Sequence, residues 1–157
     1  MALDPIDRRL ALALRARGRS TYTELGRLVG LSAPAVHERV GKLEAAGTVR
    51  GYHADVDPAA LGLEVVALVG VLTTEAADQD VVAERLREIP AVTSCWVIAG
   101  EETFMLQVRA PDVDGLEHVL GGLRRTAGVA RTRTTVVLST RWEGRVPDAD
   151  EGGGPTA

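Results

Sequence analysis

The sequence predicts an α+β protein in two parts, a small three-helix unit followed by a βαββαβ unit. Three observations carry this. Apolar residues up to position 47 recur only at helical spacing. From position 63, Val- and Leu-rich runs alternate with helical stretches in the order strand, helix, strand, strand, helix, strand. Between them, 48–56 reads as extended and Asp57-Pro58 turns the chain.

Asp4-Pro5-Ile6-Asp7 opens the first helix, because Asp caps free N–H groups and Pro loses no bond at the first helical position. Ile6, Leu10, Ala13 and Leu14 form one apolar face, and Gly18 closes the helix. Thr21 and Glu24 match a capping box, with Leu25, Leu28 and Val29 as the buried stripe behind it. Gly30 ends this short helix. Ser32 starts the third, Pro34 is tolerated in its first turn, Val36, Val40 and Leu43 lie on one face, and Gly47 ends it. Gly26 is read as letting the second and third helices cross closely. Three helices joined by short turns in this way make a helix-turn-helix.

Strands are expected over 63–73, 92–98, 104–110 and 131–139. Helices are expected over 79–89, stopped by Pro90, and over 113–123, with Leu116, Val119, Leu120 and Leu123 on one side. The order is two β-α-β halves, a ferredoxin-like α/β sandwich with both helices on one face of an antiparallel sheet. Trp96 and Ile98 alternate with Cys95 and Val97, so the other sheet face is also expected to be apolar and covered by a second subunit. Cys95 is read as a buried small hydrophobe. The expected domains are 1–47 (three-helix, winged helix-turn-helix), 48–62 (extended hinge strand), 63–143 (βαββαβ) and 144–157 (acidic, Gly-rich, disordered tail).

Charge separates the parts. Of 18 basic and 22 acidic residues, nine and seven respectively precede position 61, so the front carries +2 and the rest −6. A basic front on an acidic body suggests that the front meets a polyanion. No apolar run approaches the roughly 20 residues of a membrane span, and no signal-peptide core follows Met1, so the expected location is cytoplasmic, with no membrane partner. A single cysteine excludes an intrachain disulfide and a cysteine zinc site. His53 and His118 have no acid or Cys at metal-ligand spacing, and neither a phosphate loop nor a nucleophile elbow is present. No catalytic residue, metal or cofactor is expected.

The expected DNA-contact residues are Ser32, Ala33, Pro34, His37, Glu38, Arg39 and Lys42, on the outward side of the third helix. Small residues at its start let backbone approach a groove. Lys42 is read as a phosphate contact. Arg39 is open between phosphate and an ion pair with Glu38 or Glu44. His37 is open between a base edge and solvent, and Glu38 between a cytosine amino group and repulsion of nonspecific phosphate.

The segments Leu3-Asp4-Pro5-Ile6-Asp7-Arg8, Glu24-Leu25, Gly30-Leu31-Ser32, Arg39-Val40, Lys42-Leu43-Glu44, Gly47, Gly51-Tyr52, Val56-Asp57-Pro58 and Leu61-Gly62 resemble the Lrp/AsnC family of transcription regulators. The resemblance covers roughly 3–143. It implies binding of double-stranded DNA by helix-turn-helix dimers, control by a small-molecule effector (usually an amino acid), and assembly into homodimers and often octamers. It places an effector at the turn Gly100-Glu101-Glu102-Thr103. Thr103 stands where the family commonly has Asp, so no particular amino acid is carried over. At this turn Gly100 lets backbone approach a ligand, Glu101 or Glu102 is expected to meet an ammonium group, and the last strand around Arg131–Thr135 is expected as the other wall, with Thr132 and Thr134 adding hydroxyls. The bland reading of the glutamates is a polar hairpin tip. As neighbours on a hairpin they are expected to diverge, which discounts paired acid/base work.

Two other functions compete. Sirohaem decarboxylases resemble the same scaffold, but their chemistry needs His and Arg lining a tetrapyrrole-sized cavity, and the second part has only His118. An effector-independent protein that compacts DNA is the other.

Overall fold

A computed structural model describes residues 3–144. The expected tail lies outside the described residues, apart from position 144. The chain divides into two compact units, Met1–Val56 and Asp57–Ala157.

The first unit holds α1 (Pro5–Ala16), α2 (Tyr22–Val29) and α3 (Ala33–Ala45). Their starts follow from side-chain caps. Asp4 accepts from the Asp7 N–H at 2.8 Å. Thr21 and Glu24 complete the reciprocal capping box, and Ser32 accepts from the Ala35 N–H at 3.4 Å. Gly30 ends α2 with φ +74°, a left-handed backbone that glycine adopts freely. The core is Leu10, Leu14, Leu25, Val36, Val40 and Leu43.

Two local expectations need correction. Leu28 is 47% exposed. In a helix of eight residues the buried face is taken by Leu25 and Val29, four apart, which leaves Leu28 turned away. Gly26 does not serve a helix crossing as such. A Cβ there would lie 2.5 Å from the Leu31 carbonyl oxygen, so the missing side chain makes room for the turn backbone. The Gly26 carbonyl in turn accepts from both the Gly30 and Leu31 N–H groups.

Residues 50–57 carry no regular secondary structure, so among the described residues no wing strand accompanies the three helices. Asp57 then caps a short 3-10 turn, Pro58–Leu61, ended by Gly62 at φ +76°.

The second unit contains β1 (Val65–Thr73), α4 (Gln79–Arg87), β2 (Val92–Val97), β3 (Phe104–Ala110), α5 (Val113–Arg125) and β4 (Val129–Val137). The sheet is antiparallel in the order β2-β3-β1-β4. Alternation along β1 and β3 sends Ala67, Val69, Val71, Phe104, Leu106, Val108 and Ala110 to one face. There they pack with Val82 and Leu86 of α4 and Leu116 and Leu123 of α5. Both helices therefore cover the same face.

The other face carries the apolar Val66, Leu68, Leu72, Met105, Val137 and the half-exposed Trp96 of the expectation, mixed with Gln107, Arg109, Arg131 and Arg133, as the register requires. The chain also reaches over part of it, since Gln107 donates to Glu143 at 2.9 Å and Arg109 approaches Glu143 at 3.4 Å. Cys95 is exposed rather than buried, because β2 is an edge strand with a neighbour on one side only.

Candidate functional site

The first site is the outward side of α3. Burial of Val36, Val40 and Leu43 turns Pro34, His37, Glu38, Gly41 and Lys42 to solvent. Ser32 is exposed at the N-cap, and Ala33 is partly shielded. A Cβ on Gly41 would meet nothing within 4 Å, so that position is open to an approaching molecule. Lys42 donates to Glu38 at 2.7 Å, one helical turn away, with both side chains about 70% exposed. The Lys42 ammonium holds the Glu38 carboxyl below the usual range. Such an exposed pair is weakly held, so Lys42 remains available to a phosphate. His37 packs edge-on against Tyr22, ring centroids 5.1 Å apart, which links α3 to the start of α2.

Arg39 has neither of the expected acidic partners. It donates to Asp4 and to Asp7, each at 2.7 Å. Residues 35 and 32 positions away in sequence thus replace Glu38 and Glu44, and Arg39 bolts α3 to the start of α1. The Asp7 backbone N–H and then Arg39 hold the Asp4 carboxyl below its ordinary value. Glu44 is engaged elsewhere, accepting from the Tyr52 phenol at 2.7 Å. That bond to a carboxylate pushes the Tyr52 pKa up to about 12.

The second site is the turn between β2 and β3. Its base is fixed. The Thr103 N–H donates to the Val71 carbonyl at 2.8 Å, the Ile98 N–H donates to the Thr103 carbonyl at 3.1 Å, and the Thr103 and Thr73 hydroxyls lie 3.0 Å apart. Thr103 thus takes a structural bond to β1. At the tip, Glu101 bridges two arginines, with Arg131 at 2.5 Å and Arg133 at 2.6 Å. These two contacts, Arg131 first, hold its carboxyl below the usual range. Glu102 also meets Arg133, at 2.8 Å. The two glutamates therefore converge on one guanidinium instead of diverging.

Thr132 and Thr134 do not join this cluster. They stand opposite Val71 and Val69, whose side chains point to the helix-covered face, whereas Arg131 and Arg133 stand opposite Leu72 and Gly70 on the open face. Gly100 has open space where a Cβ would stand. Within the wall expected around Arg131–Thr135, it is Arg131 and Arg133 that meet the glutamates, and Gly70 beneath Glu102 was not foreseen. The signal for the arginines was the strand period of two, which puts positions 131 and 133 on one face together. Among the described residues no three His, Cys, Asp or Glu side chains gather closely enough to hold a metal ion. No helix among them is long and apolar enough to cross a membrane.

A helix-turn-helix with an open recognition face, and a separate βαββαβ unit with a charged turn, define a DNA-binding regulator controlled by a ligand. Residues 3–44 match the AsnC-type helix-turn-helix domain, and 64–147 match the Lrp/AsnC ligand binding domain. The chain belongs to the Lrp/AsnC family of transcriptional regulators. It is 42% identical to the HTH-type transcriptional regulator LrpA of Mycobacterium tuberculosis, over 92% of this chain and 95% of that one. A solved structure of a feast or famine regulatory protein from M. tuberculosis, complexed with L-methionine, is also 42% identical. It superposes with a TM-score of 0.87 over 93% of this chain and 99% of its own. A transcriptional regulator from Neisseria meningitidis in complex with L-methionine is 32% identical, with a TM-score of 0.83 over 90% and 94% of the two chains.

Proposed function

We propose that this regulator reads DNA with Ser32, Ala33, Pro34, His37, Glu38 and Lys42 on the outward side of α3, and senses an amino acid or related metabolite at the 100–103 turn. Arg39 is assigned to holding α3 in place. The observation that carries the DNA reading is the division of α3 into a buried stripe and an exposed side with open space at Gly41. The effector class rests on two relatives whose solved structures hold L-methionine. The chain works in the cytoplasm as a homodimer or a multiple of it. Two recognition helices then meet successive major grooves, about 34 Å apart, so the operator is a pseudo-palindrome. An effector regulates only if it binds one state of the assembly better than another.

The test is a gel shift with the chain's own upstream DNA, with and without each of the twenty amino acids. Retardation that one amino acid strengthens or weakens is expected. Absence of any retardation sinks the DNA reading. Retardation indifferent to every amino acid sinks the effector reading alone.

A further inference from the structure

We propose that Tyr22 is a positioning residue for DNA reading: its ring holds the His37 imidazole on the outward side of α3, where the imidazole donates to the N7 acceptor of a purine. This rests on the DNA reading above and adds which side chain reads one base and what aims it.

The two rings meet edge to face, with centroids 5.1 Å apart and planes at 67°. Aromatic rings favour this arrangement, because the positive edge of one meets the negative face of the other. The contact is not needed to dock the two helices. Leu25, Val36 and Val40 fill the space between α2 and α3 and are all buried, whereas Tyr22 is 38% exposed and His37 is exposed. The pair stands outside that core as a separate contact.

Tyr22 is the fixed member. It is the first residue of α2, and the capping box of Thr21 and Glu24 secures the backbone that carries it. His37 is the member that needs fixing. One turn away on its own helix stand Ala33, Pro34, Val40 and Gly41, and none has a side chain that hydrogen-bonds. Val40 is buried, and a Cβ on Gly41 would meet nothing within 4 Å. Among the described residues no hydrogen bond engages the imidazole. The ring contact with Tyr22 is therefore what orients it.

The chemistry of the imidazole names the base class. It carries an N–H donor whichever ring nitrogen holds the proton. On the major-groove edge both purines present N7 as an acceptor. A donor held on α3 thus tells purine from pyrimidine at one position of each half-site. Holding the ring before contact also removes part of the ordering cost that a free side chain incurs on binding.

The experiment uses the full chain and the duplex it selects from a random-sequence pool. Each purine of that duplex is replaced in turn by its 7-deaza analogue, which lacks the N7 acceptor. The parent chain should lose about two- to tenfold in affinity at one purine per half-site, the scale of one hydrogen bond. His37→Ala should be indifferent to that replacement. Tyr22→Ala should lose most of the same sensitivity, and Tyr22→Phe, which keeps the ring, should retain it. Tyr22→Leu takes the place of Tyr22→Ala if circular dichroism shows the latter unfolded. Undiminished sensitivity in Tyr22→Ala or Tyr22→Leu overturns the proposal, as does a parent chain indifferent to every 7-deaza purine. A Tyr22→Phe that falls with Tyr22→Ala also overturns it, because the phenol would then be the contact. A chain that selects no duplex sinks the DNA reading itself, whereas one that selects a duplex and gives any of these contrary results sinks only the role of Tyr22.

Discussion

Arg39 in the first unit and Arg133 in the second each meet two carboxylates, yet the two clusters do different work. The partners of Arg39 are anchored by the helix that carries them. Asp4 is at once an ion-pair partner and the N-cap of α1, held by the Asp7 N–H, and Asp7 is in the first turn. Such a cluster joins two elements. Arg133 meets one shielded carboxylate, Glu102, and one at an exposed tip, Glu101. That cluster ties an exposed turn tip to β4. The glycines repeat the contrast. A side chain on Gly26 would meet the Leu31 carbonyl oxygen, part of the backbone, at 2.5 Å, whereas one on Gly70 would meet the Glu102 side chain at 2.8 Å. An arginine cluster or a glycine acquires its meaning from whether its neighbour can move.

The largest effect expected from this contrast is at Gly26. Gly26→Ala should lose about 1–3 kcal/mol of stability, the usual cost of forcing atoms into a filled site, because a backbone carbonyl in a tight turn cannot step aside. Thermal unfolding followed by helical circular dichroism measures it, and an unchanged midpoint would show that the turn is soft.

Arg39→Gln should be less damaging and should reveal itself through pH. The Asp4 carboxyl is lowered in the folded state, so its contribution is present above the unfolded value near 4 and fades as pH falls through the lower folded value. Parent and variant should therefore differ in stability at neutral pH and converge on the acid side. A gap that persists in acid would mean that packing, not the ion pairs, is what Arg39 supplies.

On DNA, Lys42→Ala should weaken binding across sequences and reduce the salt slope by about one phosphate contact. Glu38→Gln should strengthen nonspecific binding, since it removes an anion from the face and releases Lys42. Binding isotherms at several salt concentrations check both, and an unchanged slope for Lys42→Ala removes it from the interface.

Gly70→Ala should cost less than Gly26→Ala, because the obstacle is a side chain that can turn rather than backbone. It should nevertheless shift the Arg133 Nε–H signal, because Glu102 must leave its place. A large loss of stability there would erase the difference drawn between the two glycines.

Much of this was legible from the chain. The caps at Asp4, Thr21 and Ser32, the stop at Gly30 and the strand order are local signals, written within a few residues of where they act. The stripe Val36, Val40, Leu43 and the face Leu116, Val119, Leu120, Leu123 follow from helical period alone. Leu28 was misplaced because period alone does not say which of several apolar residues a short helix buries. The expected site at the 100–103 turn named the glutamates and the strand around Arg131–Thr135, and chose the hydroxyls on that strand. Strand parity puts those hydroxyls on the covered face, and the arginines on either side of Thr132 face Glu101 instead.

The sequence by itself determined the elements, their order, the two units and the membership of a regulator family, since each rests on spacing and capping within a short window. Only the tertiary structure decided the partners. Arg39 found Asp4 and Asp7 across 35 and 32 positions rather than Glu38 next door, and Glu101 found Arg131 and Arg133 across 30 and 32. Side-chain pairing depends on which faces the fold brings together and which atoms can reach, and distance along the chain carries almost no information about either.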